Sequence, residues 1–268
     1  MTNNIKLVVT DIDGTIANKD NEISQNVKDC INSLKKNNIK VVIATGRMFC
    51  SAEVMANKID LKDEIIAYQG AIIQKNGSTQ PLRARYVPEN IAREIINELK
   101  TRRIHTQVYI NDKIHVENDN EIVQAYAKKM YTDYTVVKSF DDIELKGVHK
   151  ILAINSLPEI ILDVTQEAQT KYEGKICVTR STPYFCEFSH LEANKGSAIE
   201  FLADYYKIDI SQVMALGDQD NDIEMIKTAG VGVAMGNATK ALKEVSDYVT
   251  TPLIEDGFVY AVKKFVGI

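Results

Sequence analysis

Two carboxylates stand two residues apart in Asp11-Ile12-Asp13-Gly14-Thr15, directly after the run Ile5-Lys6-Leu7-Val8-Val9-Thr10. That run is apolar and β-branched and reads as a buried strand. Side chains two positions apart on extended chain can face the same way, and the Asp-Gly pair turns the chain sharply after them. Two acids held close need a reason, and a hard cation such as Mg2+ supplies one. An acidic turn with no ligand is the other reading of so short a pattern. A second cluster, Gly217-Asp218-Gln219-Asp220-Asn221-Asp222, follows the apolar run Gln212-Val213-Met214-Ala215-Leu216. One Asp would cap the helix that continues through Ile223 and Ile226; three carboxylates within five residues suggest a cation.

Two cationic motifs complement the acids. Thr45-Gly46-Arg47 ends the run Lys40-Val41-Val42-Ile43-Ala44. A hydroxyl, a glycine and a guanidinium at a strand end can meet an oxyanion, because glycine lets backbone N–H groups come close. A loop with a solvated Arg is the plainer alternative. Lys195-Gly196 opens a helix with Ile199, Leu202 and Ala203 inward. A lone lysine there opposes the helix dipole. An anion nearby would account for it; a solvated side chain would too.

The elements that must position these groups alternate. Strand, helix, strand, helix, strand over residues 5–68 predicts a parallel sheet with right-handed crossovers. In such sheets ligands bind beyond the carboxyl ends of the strands, where both acidic clusters and Thr45-Gly46-Arg47 fall. Ser24 is the expected N-cap of a helix whose apolar face is Val27, Cys30, Ile31 and Leu34. Asn76-Gly77 signals a hairpin. From about Arg83 strands are joined by short turns as well as helices, which suits an α+β module. The first texture returns near residue 188. The expected boundaries are therefore a discontinuous core of 1–82 and 188–268, with 83–187 between its halves.

Composition narrows the partners. A net charge of −5 with no basic run argues against nucleic acid or an anionic membrane as partner. No charged N-terminal region precedes a long apolar stretch, and no apolar run could span a bilayer, so a cytoplasmic protein is expected. Cys30, Cys50, Cys177 and Cys186 lack Cys-x-x-Cys spacing and read as reduced, packed thiols. The four histidines are scattered, which argues against zinc.

Taken in order, the four motifs resemble the haloacid dehalogenase superfamily, and more closely the Cof-type phosphatases. Their large cap domain is inserted between the third core strand and the lysine motif. The resemblance covers the whole chain. It implies a Rossmann-like α/β core with an inserted α+β cap. It also implies a Mg2+-dependent phosphatase of small phosphorylated metabolites, sugar phosphates or phosphorylated cofactors, acting through an aspartyl-phosphate. By the same resemblance Asp11 is the nucleophile, and Asp13 is the general acid and base whose backbone carbonyl also touches Mg2+. Asp218 is the further metal ligand, with Asp222 behind it or reaching the ion through water. Thr45 and Lys195 hold the transferring group, Gly46 and Asn221 add phosphate contacts, and Arg47 lies at the pocket mouth. One departure is Gln69-Gly70-Ala71, where the family commonly has Asn-Gly-Ala; it puts a substrate contact at position 69 in doubt. Two other functions stay open: a phosphomutase or phosphotransferase on the same core, and a non-catalytic phosphometabolite sensor. Opening and closing by hinges near 82–86 and 186–190 is expected.

Overall fold

The computed structural model describes residues 4–268, so residues 1–3 of the expected core lie outside the described residues. Strand β1 (Leu7–Thr10) is buried at every position. Helix α1 (Gln25–Lys36) starts where the Ser24 hydroxyl accepts the Val27 N–H at 3.3 Å, a cap worth about 1 kcal/mol. Its buried face is Val27, Cys30, Ile31 and Leu34, the stripe that the helical spacing predicts. Next come β2 (Lys40–Ala44), α2 (Phe49–Lys58) and β3 (Glu64–Ala67). β4 (Ile72–Lys75) and β5 (Pro81–Ala84) are neighbours in the sheet and flank Asn76-Gly77, as the hairpin signal predicts. The middle of the chain forms α3 (Glu89–Thr101), β6 (His105–Ile110), β7 (Lys113–Val116), α4 (Glu121–Met130) and β8 (Tyr134–Val136). β9 (Val148–Ile154), α5 (Pro158–Lys171), β10 (Ile176–Thr182) and β11 (Phe185–His190) complete that stretch. The last part is α6 (Lys195–Tyr206), β12 (Val213–Gly217), α7 (Ile223–Thr228), β13 (Val231–Ala234), α8 (Lys240–Val245), β14 (Tyr248–Val249) and α9 (Gly257–Val266).

These elements form two compact units, one of residues up to Leu82 together with Asn194–Ile268, the other of Arg83–Ala193. The first is built on an eight-stranded sheet in the order β14-β13-β12-β1-β2-β3-β4-β5. β1 lies inside it, parallel to β12 on one side and β2 on the other. β13, β14 and β3 extend the parallel run, and β4 reverses against β3. Leu7, Val9, Val42 and Ala44 pack beneath Ala198, Ile199 and Leu202 of α6 and Met225 and Ile226 of α7. Strands this buried read as continuous apolar runs because both faces of a parallel sheet are covered.

The second unit holds a six-stranded sheet, β10-β11-β9-β6-β7-β8. Val108, Ile151, Ala153, Cys186 and Phe188 form a core with Ile95 and Leu99 of α3 and Ile161 and Val164 of α5. β8 has no counterpart in the sequence pattern; it is a short edge strand, exposed at two of its three positions and paired in parallel with β7. The unit also runs past the change of texture at residue 187. Cys186–Ser189 of β11 are still in register with β9, so the strand carries the chain onward and the unit ends at Ala193. Among the described residues no helix is long and apolar enough to cross a membrane.

Candidate active site

The motif residues of the first unit gather at the carboxyl ends of adjacent parallel strands. Asp11 and Asp13 follow β1, Thr45 to Arg47 follow β2, Gln69 follows β3, and Asp218 to Asp222 follow β12. After β1 the chain coils tightly: the Ile12 carbonyl accepts the N–H groups of Thr15, Ile16 and Ala17 at 3.3, 3.0 and 2.8 Å. Gly14 sits at φ +83°, and a Cβ there would lie 2.3 Å from Asp218 Oδ2. Glycine is what allows the β1 turn to approach the β12 loop so closely.

Lys195, the first residue of α6, answers its unfavourable place at the helix start with the protein's own anions. Its Nζ lies 2.6 Å from Asp11 Oδ1 and 2.6 Å from Asp222 Oδ1. The Lys195 and Asp222 side chains are fully buried and Asp11 is 8% exposed. Asp222 spends its other oxygen on the N–H groups of Asp218 and Gln219, at 2.9 and 3.1 Å. Asp218 accepts the Thr15 hydroxyl at 3.3 Å on one oxygen. On the other it accepts the Gln219 side-chain amide at 2.6 Å and the Asn237 amide at 3.4 Å. Asn237 also donates to the Gly14 carbonyl at 2.9 Å, tying the two acidic turns together.

Carboxylate oxygens of Asp11, Asp218 and Asp222 all lie within 4.8 Å of one another. Burial pushes the Asp11 carboxyl above its ordinary range, against the pull of the Lys195 ammonium. Burial also pushes Asp218 up to about 6. Burial pulls Lys195 down, yet the charges of Asp11 and Asp222 leave it raised on balance. Asp11 and Asp222 thus share one ammonium, with Asp218 close by, and a further cation would favour the charged forms of Asp11 and Asp218. A donor set made only of oxygens could hold a hard divalent ion.

Asp11 and Asp13 do not share a partner. Asp13 is gripped by Arg47 through two parallel bonds, Nε to Oδ2 at 2.8 Å and Nη2 to Oδ1 at 2.5 Å. The same Nη2 donates to Asn21 Oδ1. Arg47 is therefore not the solvated side chain of the plainer reading. Its side chain is 4% exposed while that of Asp13 is 55% exposed. The coil at Ile12 ends the strand alternation before Asp13, so the two carboxylates leave the turn toward different cations. Nη1 of Arg47 is buried with no hydrogen-bond partner among the described residues.

Thr45 is buried, and its Oγ1 accepts the Arg47 N–H at 3.2 Å, which leaves its hydroxyl proton free to donate. Gly46 lies under the side-chain amide of Gln69. Asn221 donates to Gln69 Oε1 at 3.0 Å. Sequence reasoning passed over Thr15, Asn21, Gln219 and Asn237. Asn237 alone carried a signal, since Met235-Gly236-Asn237 follows a parallel strand as the other motifs do.

A model of the haloacid dehalogenase-like hydrolase family matches residues 8–262. The 5-amino-6-(5-phospho-D-ribitylamino)uracil phosphatase YcsE of Bacillus subtilis is 29% identical over 98% of this chain and 96% of its own. A haloacid dehalogenase-like hydrolase from Bacteroides thetaiotaomicron aligns with a TM-score of 0.89 at 29% identity, over 97% of this chain and 99% of its own. TM0651 from Thermotoga maritima aligns with a TM-score of 0.86 at 30% identity, over 97% of each chain. The likeness runs end to end in both sequence and fold, so the chain belongs to the haloacid dehalogenase-like hydrolases, as an enzyme of the phosphoric monoester hydrolase class.

Proposed function

We propose that the chain is a Mg2+-dependent phosphatase of small phosphorylated metabolites that works through an aspartyl-phosphate on Asp11. The observation that carries this reading is the Lys195 ammonium 2.6 Å from Asp11, inside a group of three buried carboxylates at a parallel sheet edge. A phosphate dianion approaching a carboxylate is repelled, and a buried ammonium beside the nucleophile offsets that repulsion. In the first half-reaction an Asp11 oxygen bonds to phosphorus, the bond from phosphorus to the leaving oxygen breaks, and Asp13 gives that oxygen a proton. In the second, Asp13 takes a proton from water and the water oxygen bonds to phosphorus. The bond from phosphorus to Asp11 then breaks, releasing phosphate and restoring the carboxylate. Thr45 and Lys195 hold the transferring group, with Gly46 and Asn221 adding contacts. Asp11, Asp218 and the Asp13 backbone carbonyl would hold Mg2+, which would supply positive charge against the phosphoryl oxygens. Asp222, with both oxygens engaged, orients Lys195 and the Asp218 loop.

Every residue in these roles lies in the unit formed by the two ends of the chain, and we read Arg83–Ala193 as a domain inserted into the catalytic one. The Bacillus relative is named as a phosphatase of a phosphorylated ribityl compound, which supports metabolites of this size as substrates. Phosphate release from a panel of sugar phosphates and phosphorylated cofactors, with Mg2+ and with EDTA, tests the reading. Release is expected with Mg2+ and lost with EDTA. Transfer of the phosphoryl group to a sugar hydroxyl instead of water would replace it with a phosphotransferase. A melting temperature raised by phosphorylated ligands with no turnover would replace it with a sensor.

The fork between Arg47 and Asp13 adds a prediction to the same assay. Arg47→Ala frees the carboxylate to rotate, so turnover of alkyl phosphates is expected to fall about a hundredfold, the scale of general acid catalysis. p-Nitrophenyl phosphate has a leaving group that needs no proton and should be affected far less. Equal losses on both substrates would remove Arg47 from this role.

A further inference from the structure

Gln69 stands where the resemblance leads one to expect Asn, and its surroundings give it a use. We infer that Gln69 is a positioning residue of the phosphate pocket, its longer amide bridging the loops that follow β2 and β12. This rests on the phosphatase reading of Gly46 and Asn221.

The backbone is held in place from one side. Tyr68 and Gln69 both adopt positive φ, 50° and 57°, although neither is glycine. Such a conformation persists only where neighbours impose it. Here the Tyr68 N–H donates to the Arg47 carbonyl at 2.9 Å and the Gln69 N–H to the Thr45 carbonyl at 3.0 Å. The turn after β3 is thereby clamped onto Thr45-Gly46-Arg47. The side chain reaches in the other direction. Its Oε1 accepts the Asn221 amide at 3.0 Å, across from the β12 loop. Its amide lies against Gly46 so closely that a Cβ there would be 2.4 Å from Nε2 and 2.9 Å from Cδ. A side chain at position 46 would push the Gln69 amide aside.

With Oε1 engaged by Asn221, the Gln69 –NH2 is left as a donor above Gly46. An oxyanion received by the Gly46 backbone would therefore meet an amide whose direction Asn221 sets. Asn at position 69, one methylene shorter, could not reach Asn221 from the same backbone, so the extra length is what joins the two loops. The chemistry recognised is that of a phosphoryl oxygen, carried by inorganic phosphate as well as by an ester.

The test uses the full chain with Mg2+ and inorganic phosphate as probe. Gln69→Met keeps the volume and removes both hydrogen-bonding ends. It is expected to weaken phosphate binding in calorimetry about tenfold, the scale of one hydrogen bond to a charged group. KM for a good ester substrate should rise by the same factor, with kcat changed less than about twofold. Asn221→Ala removes the partner that aims the Gln69 amide, so it should weaken phosphate binding as well, and the double variant should lose clearly less than the sum of the two single losses, because both break one linkage. Losses that add would overturn the inference, as would unchanged phosphate binding in Gln69→Met. An unaltered melting temperature in Gln69→Met separates positioning from general structural damage; a fall of many degrees with kcat and KM both degraded would overturn it. If the wild type binds phosphate but hydrolyses no ester, the phosphatase reading fails while the binding cycle still decides the role of Gln69.

Discussion

Asp11→Asn is expected to reduce phosphate release at least about a thousandfold while the protein stays folded. The amide has the shape of the carboxylate but cannot carry the phosphoryl group. The fold should tolerate the change because Lys195 retains Asp222 at 2.6 Å, and because the charge removed is one that burial already disfavours. The melting temperature should shift by a few degrees only. Thermal unfolding and phosphate release on one preparation check both halves. Turnover close to wild type would end the assignment of Asp11 as nucleophile.

Lys195→Met should behave in the opposite way, failing in stability as well as in activity. It leaves Asp11 and Asp222 buried beside each other without their ammonium. Removing one partner of a buried ion pair costs about 3–5 kcal/mol. For a chain of this size that is a fall in Tm of roughly 6–20 °C. The sign of the pH dependence follows from the acids. Without Lys195 the Asp11 carboxyl, already raised by burial, is pushed further above its unfolded value, so the folded state takes up a proton there more readily. Stability contributed by that proton is full below the unfolded carboxylate range and is lost as pH rises through the raised Asp11 value. The variant should therefore lie nearest to wild type in acid and furthest from it at neutral pH. Mg2+ should recover part of the lost Tm by binding the folded state. Unfolding followed against pH, with and without Mg2+, measures all three. A variant as stable as wild type at pH 7 would mean that the carboxylates do not depend on Lys195.

What the sequence by itself determined was local. The apolar runs, the helical stripe of Val27, Cys30, Ile31 and Leu34, and the turn chemistry of Asp13-Gly14 and Asn76-Gly77 all depend on near neighbours. So does the placement of Asp11, Thr45 and Asp218 just after apolar runs, and parallel sheets place every such strand end on one edge. The four motifs were legible for that reason. The pairing within the site was decided only by tertiary structure. Asp11 answers to Lys195 across 184 residues, and Asp13 answers to Arg47 across 34. No spacing rule links residues so far apart, and the tight coil at Ile12 overrode the alternation that would have turned both acids the same way. Gln69 drew notice in the sequence only as a departure, since its reach to Asn221 depends on two left-handed residues that no glycine announces. β8 and the extent of β11 were hidden for a related reason. An edge strand or a strand end is fixed by the partner it finds, and the partner's position is a property of the folded sheet.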